Sequence, residues 1–400
     1  MNKHLLEHGF RWYGPKDRVP LSYIKQAGVE SLFTSLHHIP YGELWTCDEI
    51  NALKKIVEDA KLRWSVVESL PVSEDIKTRT GDYKRHIENY KQSIVNLAKC
   101  GVKKIIYNFM PVLDWIRTDL RFDARGDGSR CLKYDPSQFA AFEIYLLKRP
   151  NAEENYTPDQ LERAKSFFES LSNDQKKKFE RDIIDVFPGC KFGLSIDDVR
   201  AMLAKYSKID AAQLKEHLVK FLNETAPVAE ENGAILAIHP DDPPIPVLGL
   251  PRIASCTQDF LDIFEGEKSP ANTVALCAGS LSANPKNVIH EMVDALADRI
   301  HVVHLRSTQR MPDGSFFEAG HLDGSVNMYE VLKRLLALQE RRVKNGLDRI
   351  VFRPDHGRDM ADDLEKPYPD NPGYSYIGRM MGLSELRGMQ CGILGEKPEV

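Results

Sequence analysis

The chain has 400 residues, 42% hydrophobic and 28% charged, with a formal net charge of −5, the balance of a soluble globular protein with ample material for a core. A sequence pI near 6.2 offers no basic footprint for nucleic acid. The absence of a signal-like start, or of any apolar run of about 18 residues, argues against export or a membrane and predicts a cytoplasmic protein.

In chain order, short apolar runs recur, each ending in polar residues and followed by a helical pattern. They are "GFRWYG" (9–14), "SLFTSLHHIP" (31–40), "WSVVESLP" (64–71), "KIIYNFMP" (104–111), "AILAIHP" (234–240), "TVALCAGS" (273–280), "IHVVHLRS" (300–307) and "IVFRPDHG" (350–357). Several are nearly continuous in Val, Ile, Leu and Phe, as parallel strands covered on both faces should be. Among the helices, "TCDEINALKKIVEDAKLR" opens with Thr46 and Glu49 in capping-box spacing and sets Ile50, Leu53, Ile56 and Val57 on one stripe. "DYKRHIENYKQSIVNLAKCG" closes at Gly101, a natural residue just past a helix end.

From about Arg121 to Asn232 no strand is predicted. Helices open instead at Thr157 with Gln160, at Ser172 with Gln175 and at Ser195 with Asp198, before the long helix "AAQLKEHLVKFLNETAPVAEENG". Residues 121–232 therefore read as a helical insertion after the fourth strand, a candidate lid or subunit contact. The Pro- and Asp-rich "DLEKPYPDNPGYSYIG" (363–378) is expected to be a loop before a last helix starting near Arg379. Eight strands alternating with helices predict a single α/β domain over residues 1–400, a (β/α)8 TIM barrel, with a doubly wound sheet as the competitor.

In such a barrel the C-terminal strand ends converge on one mouth. The last four runs deliver His239, Cys277, His304 and Asp355 there. Two imidazoles, a thiolate and a carboxylate make a plausible set for a divalent transition metal. His356 follows Asp355 directly, and neighbouring residues at a strand end point different ways, so His356 can face substrate while Asp355 faces metal. Arg306 and Arg358 lie just beyond a ligand and suit bidentate binding of a carboxylate. Asn108 and Glu68, at the ends of the fourth and third runs, are candidates for binding hydroxyls. His4, His86, His217 and His290 fall on the N-terminus or on helices and are expected to be solvated, and His301 begins its strand, far from the mouth. Seven cysteines, an odd number with no CxxC pair, read as reduced thiols, mostly small core residues.

The segments "LHHIPYGELW", "ESLPV", "YNFMPVLDW", "AIHPDDPP", "LCAGSL", "HLRS", "PDHGR" and "NPGYSYIGR", in this order, resemble the mannonate dehydratase family of hexuronate degradation, over nearly the whole chain. The resemblance implies a xylose-isomerase-like barrel and dehydration of D-mannonate to 2-keto-3-deoxy-D-gluconate. It also implies one Mn2+ or Fe2+ per chain and no organic cofactor. It places the family's metal ligands on His239, Cys277, His304 and Asp355, and its catalytic pair on His356 and Tyr374, with Tyr376 nearby; which member of the pair is acid and which is base stays open. A metal-dependent sugar isomerase or epimerase is the nearest alternative. A nucleic-acid phosphodiesterase would want a basic groove and more ligands, and a closed structural zinc site would carry no chemistry. The expected partners are a small sugar acid and, as a homo-oligomer, a second copy in a dimer.

Overall fold

The computed structural model describes residues 4–184, 193–366 and 371–396; Cys190 and part of the predicted C-terminal loop lie outside them. Eight parallel strands close on themselves: β1 (Glu7–Arg11), β2 (Ser31–Thr34), β3 (Arg63–Glu68), β4 (Lys104–Tyr107), β7 (Ile235–Ile238), β8 (Asn272–Cys277), β9 (Ile300–Leu305) and β12 (Val351–Pro354). Each is followed by a helix of the outer ring: α1 (Leu21–Gln26), α2 (Cys47–Asp59), α3 (Tyr83–Lys99), α4 (Ala211–Glu231), α5 (Thr257–Gly266), α6 (Ile289–Ala295), α7 (Met328–Lys344) and α8 (Tyr376–Leu394).

The two-residue period of a strand explains why these runs are apolar throughout. Phe33, Val66, Ile106, Ala237, Ala275, Val302 and Val351 point inward and fill the barrel as one buried cluster. Their neighbours Leu32, Val67, Ile105, Leu236, Leu276, Val303 and Phe352 point outward into the core under the helices. The first strand contributes Gly9 at this level. A Cβ there would stand 2.3 Å from the Phe33 ring and 2.9 Å from the Phe352 carbonyl oxygen, so only glycine leaves room for the ring. Parallel register then sets Cys277 level with His304, and His304 level with Arg353.

The predicted caps form. Thr157 with Gln160, Ser172 with Gln175 and Ser195 with Asp198 make reciprocal capping bonds. The Thr46 box forms only in half: Thr46 accepts from the Glu49 backbone N–H at 3.3 Å, but the Glu49 carboxylate turns to His38 Nε2 at 3.0 Å instead of back to Thr46. Gly101 takes a left-handed φ of 85° just past Cys100, the residue that caps α3. Among the described residues no helix is long and apolar enough to cross a membrane.

Four expectations need correction. The stretch after the fourth strand is not strand-free. β5 (Asp119–Phe122) and β6 (Cys131–Tyr134) join β10 (Thr308–Arg310) and β11 (Phe316–Glu318) in a four-stranded antiparallel sheet, ordered β10-β11-β6-β5. These strands are three or four residues long and pair across large sequence separations, as Phe316 does with Tyr134, so no local periodicity announces them. The long helix at the end of that stretch is α4 of the barrel ring itself, packed on α3 and β7. Ile56 is 41% exposed at the edge of its stripe, which Ile50, Leu53 and Val57 define. His86 is buried rather than solvated, its Nδ1 2.8 Å from Ser73 Oγ.

Candidate active site and metal centre

His239 follows β7, Cys277 ends β8 and His304 lies near the end of β9, so three neighbouring parallel strands bring them together. One donor atom from each falls within 4.8 Å of the others. The His239 ring is fixed by Nδ1, 2.7 Å from the Pro240 carbonyl oxygen, which turns Nε2 inward. His304 is wholly buried and its Nε2 has no hydrogen-bond partner; Glu68 Oε2 stands 3.4 Å away without bonding geometry. Ser280 donates its backbone N–H to the Cys277 sulfur at 3.4 Å, and its hydroxyl lies between that sulfur at 3.1 Å and Asp242 Oδ2 at 2.9 Å. An orphaned buried imidazole nitrogen beside a second imidazole and a hydrogen-bonded sulfur fits a divalent metal ion.

Asp355 is joined to this group rather than gathered with it. Cys277 Sγ lies 3.4 Å from Asp355 Oδ2, and the carboxylate also meets Arg353 Nη1 at 2.5 Å and Arg306 Nε at 3.2 Å. Burial opposes its ionisation, but Arg353, with His356 and Arg306, holds its carboxyl well below the usual carboxylate range. Arg353 also forks onto Glu68, Nε to Oε2 at 2.9 Å and Nη2 to Oε1 at 2.6 Å, and holds that half-buried carboxyl low in the same way.

His356 belongs to a second network. Its Nδ1 lies 2.7 Å from Glu318 Oε2 and 2.7 Å from Arg306 Nη1. One ring nitrogen can serve only one of these, and a guanidinium cannot accept; Arg306 Nη1 is already paired with Glu318, so Nδ1–H is assigned to the carboxylate. That leaves Nε2 facing the Tyr374 hydroxyl at 3.1 Å. Burial pushes the Tyr374 phenol up to about 12, so it carries its proton at neutral pH. Glu318 comes from β11 of the small sheet, where Arg117 pairs with it at 2.8 Å and with Asp242 at 2.7 Å.

These groups surround a cavity of 60 Å³ lined by Arg11, Asn108, Trp115, His239, Asp242, Ser280, Arg353, Asp355, His356 and Tyr374, among others. A larger hollow of 820 Å³ adjoins it and contains none of the four candidate ligands; among the described residues, Tyr13 and Tyr374 border both. Of the site residues expected from sequence, Asn108 lines the chamber, its Nδ2 3.4 Å from Asp114 Oδ2. Arg306 stands behind the lining, engaged with Asp242, Glu318 and Asp355. Arg358 is not brought to the chamber; it is buried beside Ser129, Nη1 to Oγ 3.3 Å. Tyr376 turns outward, its hydroxyl donating to the Tyr23 carbonyl oxygen at 2.8 Å. Sequence reasoning missed Glu318, Arg353, Asp242, Arg11 and Trp115. Asp242 sits inside "HPDDPP" and Arg11 in the first apolar run, so both had a signal; Glu318 in "SFFEAG" had none.

The D-mannonate dehydratase (UxuA) family pattern matches residues 6–397. A mannonate dehydratase of Marinomonas sp. (strain MWYL1) is 46% identical over 390 residues, covering 97% of this chain and 99% of the relative. The crystal structure of mannonate dehydratase from Streptococcus suis serotype2 superposes with a TM-score of 0.77 at 29% identity, covering 98% of this chain and 96% of the other. A xylose isomerase domain protein from Planctomyces limnophilus, at 10% identity and a TM-score of 0.51, covers 98% of this chain and 99% of its own and shares the barrel fold alone. With a full-length family match and close relatives of the same kind, the chain belongs to the D-mannonate dehydratase family, hydro-lyases built on a xylose-isomerase-like (β/α)8 barrel.

Proposed function

We propose that the chamber dehydrates D-mannonate to 2-keto-3-deoxy-D-gluconate, with one Mn2+ or Fe2+ held by His239, Cys277, His304 and Asp355. The observation that carries this reading is a three-donor cluster suited to a metal, whose member His239 lines the same cavity as the proton-transfer pair His356 Nε2 and Tyr374 Oη, 3.1 Å apart. The elimination removes a proton from C2, beside a carboxylate that is already negative, and the hydroxyl from C3. A bound divalent ion supplies Lewis acidity for the charge that builds up on the carboxylate.

The protein's own residues do the rest. Glu318 accepts from His356 Nδ1 and so keeps Nε2 turned toward Tyr374 and the chamber. The pair exchanges protons with C2 and the departing hydroxyl. Asn108 offers an amide to a substrate hydroxyl. Arg306 holds Asp242, Glu318 and Asp355 in place instead of reaching substrate. Burial around the cavity keeps bulk water away from the reacting carbons.

The test is to strip the protein with chelator, add back Mn2+, Fe2+ and Zn2+ one at a time, and assay D-mannonate. Metal-dependent release of a 2-keto-3-deoxy acid, with far-UV circular dichroism retained in the stripped protein, is the expected result. A product that keeps all its oxygens would instead identify an isomerase or epimerase. Unfolding on chelation would mark the metal as structural.

A further inference from the structure

We propose that Arg11 and Tyr13, at the end of the first barrel strand, form the wall that binds the substrate's carboxylate. This deepens the reading of the chamber as a sugar-acid site and rests on it. Neither arginine expected from sequence lines the chamber: Arg306 stands behind it, against Asp242, Glu318 and Asp355, and Arg358 lies beside Ser129. Two guanidiniums do line the chamber, Arg353 and Arg11. Arg353 spends Nε and Nη2 on Glu68 and Nη1 on Asp355.

Arg11 is different. It is 2% exposed, and one terminal nitrogen donates to the Glu68 carbonyl oxygen. Its Nε is buried and has no hydrogen-bond partner. Two residues on, Tyr13 also lines the chamber, and its hydroxyl is likewise buried and makes no hydrogen bond of good geometry, with the Tyr374 phenol as a neighbour that also has a proton to donate. Arg11 ends β1 and Tyr13 lies two residues past it; both line the chamber, with Trp12 between them turned into the hydrophobic core. The Tyr13 ring is itself well held, stacked on His37 at 5.4 Å, edge-on to Tyr374 at 5.0 Å and covered by the Arg11 guanidinium at 4.6 Å. Buried polar atoms are nearly always paired. Two donors without a well-made hydrogen bond, side by side at a cavity where one strand ends, therefore call for an acceptor from outside the chain. Trp115 Nε1 is a third such donor on the lining, beside His356 at 5.7 Å between ring centres. A guanidinium, a phenol and an indole N–H together match a ligand rich in acceptor oxygens: the carboxylate on Arg11 and Tyr13, a hydroxyl on Trp115.

The test uses the metal-loaded full chain and the variants Tyr13→Phe and Arg11→Lys. Tyr13→Phe removes only the unpaired hydroxyl and keeps the stacked ring, so its Tm without substrate should not fall. Its KM for D-mannonate should rise about 10- to 100-fold, the range for one hydrogen bond to a charged group, and by a larger factor than kcat falls. The rise in Tm that saturating D-mannonate gives the wild type should shrink in both variants. A Tyr13→Phe protein with wild-type KM and wild-type stabilisation by D-mannonate would overturn the proposal, whatever Arg11→Lys does. If the wild type does not turn over D-mannonate, the functional reading fails separately. The same thermal comparison is then made with D-gluconate and D-galactonate: a gain that Tyr13→Phe loses upholds the wall, and the absence of any gain overturns it.

Discussion

Asp355 and His356 are adjacent in the chain and, though His356 Nε2 lies 3.7 Å from Asp355 Oδ1, their main partners differ. Asp355 faces Cys277 and two guanidiniums, whereas His356 sits between Glu318 and Tyr374. A strand end separates them because successive side chains leave the backbone in different directions. Removing the charge of Asp355 with Asp355→Asn should lower both bound metal and turnover. His356→Asn should leave metal content unchanged and lower kcat by roughly 10²- to 10⁴-fold, as loss of one acid–base group does. Metal stoichiometry measured beside single-turnover rates separates the two; metal loss in His356→Asn would mean the roles have been exchanged.

At the scale of elements, the small sheet is what distinguishes this barrel mouth. It is built from the segments after β4 and after β9, and it delivers Glu318 to His356. Phe316 holds it together, 2% exposed, stacked on Tyr134 at 5.4 Å and covered by Arg117 at 5.1 Å. Phe316→Ala should cost about 3–5 kcal/mol and should also reduce kcat, because the strand carrying Glu318 loses its anchor. An element remote from the chamber should behave otherwise. Thr157→Ala, which deletes an exposed helix cap, should cost about 1 kcal/mol with kcat unaltered. Denaturant unfolding and steady-state kinetics on the same two proteins check the contrast. Equal effects on kcat would show that the sheet is not coupled to the site.

For the whole molecule, acid should act first at the base of the barrel. His8 on β1 is pushed down to about 4 by burial and then by Arg387 and Arg349, against a smaller opposing effect of Glu7. His301 at the start of β9 is pushed down to about 3 by burial, Arg342, Lys104 and Arg299, with Asp348 opposing. Both folded pKa values lie below the unfolded one, so neither group affects stability above about pH 6.5. Below it the unfolded chain takes up protons that the folded chain refuses. Stability should therefore fall by up to about 1.4 kcal/mol per pH unit for each histidine as pH drops toward the folded values. Unfolding curves at pH 7, 6 and 5 should show a shallower decline in His301→Gln. An identical slope would place the acid sensitivity elsewhere.

The sequence alone determined the eight strands, the helix caps and the three ligand-type residues that gather at β7, β8 and β9, because each depends on local chemistry. A strand buried on both faces must be apolar throughout, a helix start needs an acceptor for its free N–H groups, and parallel strands bring their C-terminal ends to one mouth. Only the tertiary structure decided the rest. The pairing of β6 with β11 joins segments far apart in the chain, and no short window of sequence carries the partner's identity. The same holds for the charges: Arg306 and Arg358 looked equivalent beyond their ligands, yet one is enclosed by three carboxylates and the other turns to Ser129. Arg353 and Arg11 both reach the chamber, yet Arg353 is paired with Glu68 and Asp355 while Arg11 Nε is left without a hydrogen bond. Which donor remains unpaired depends on every neighbour at once, and that is settled only when the barrel closes.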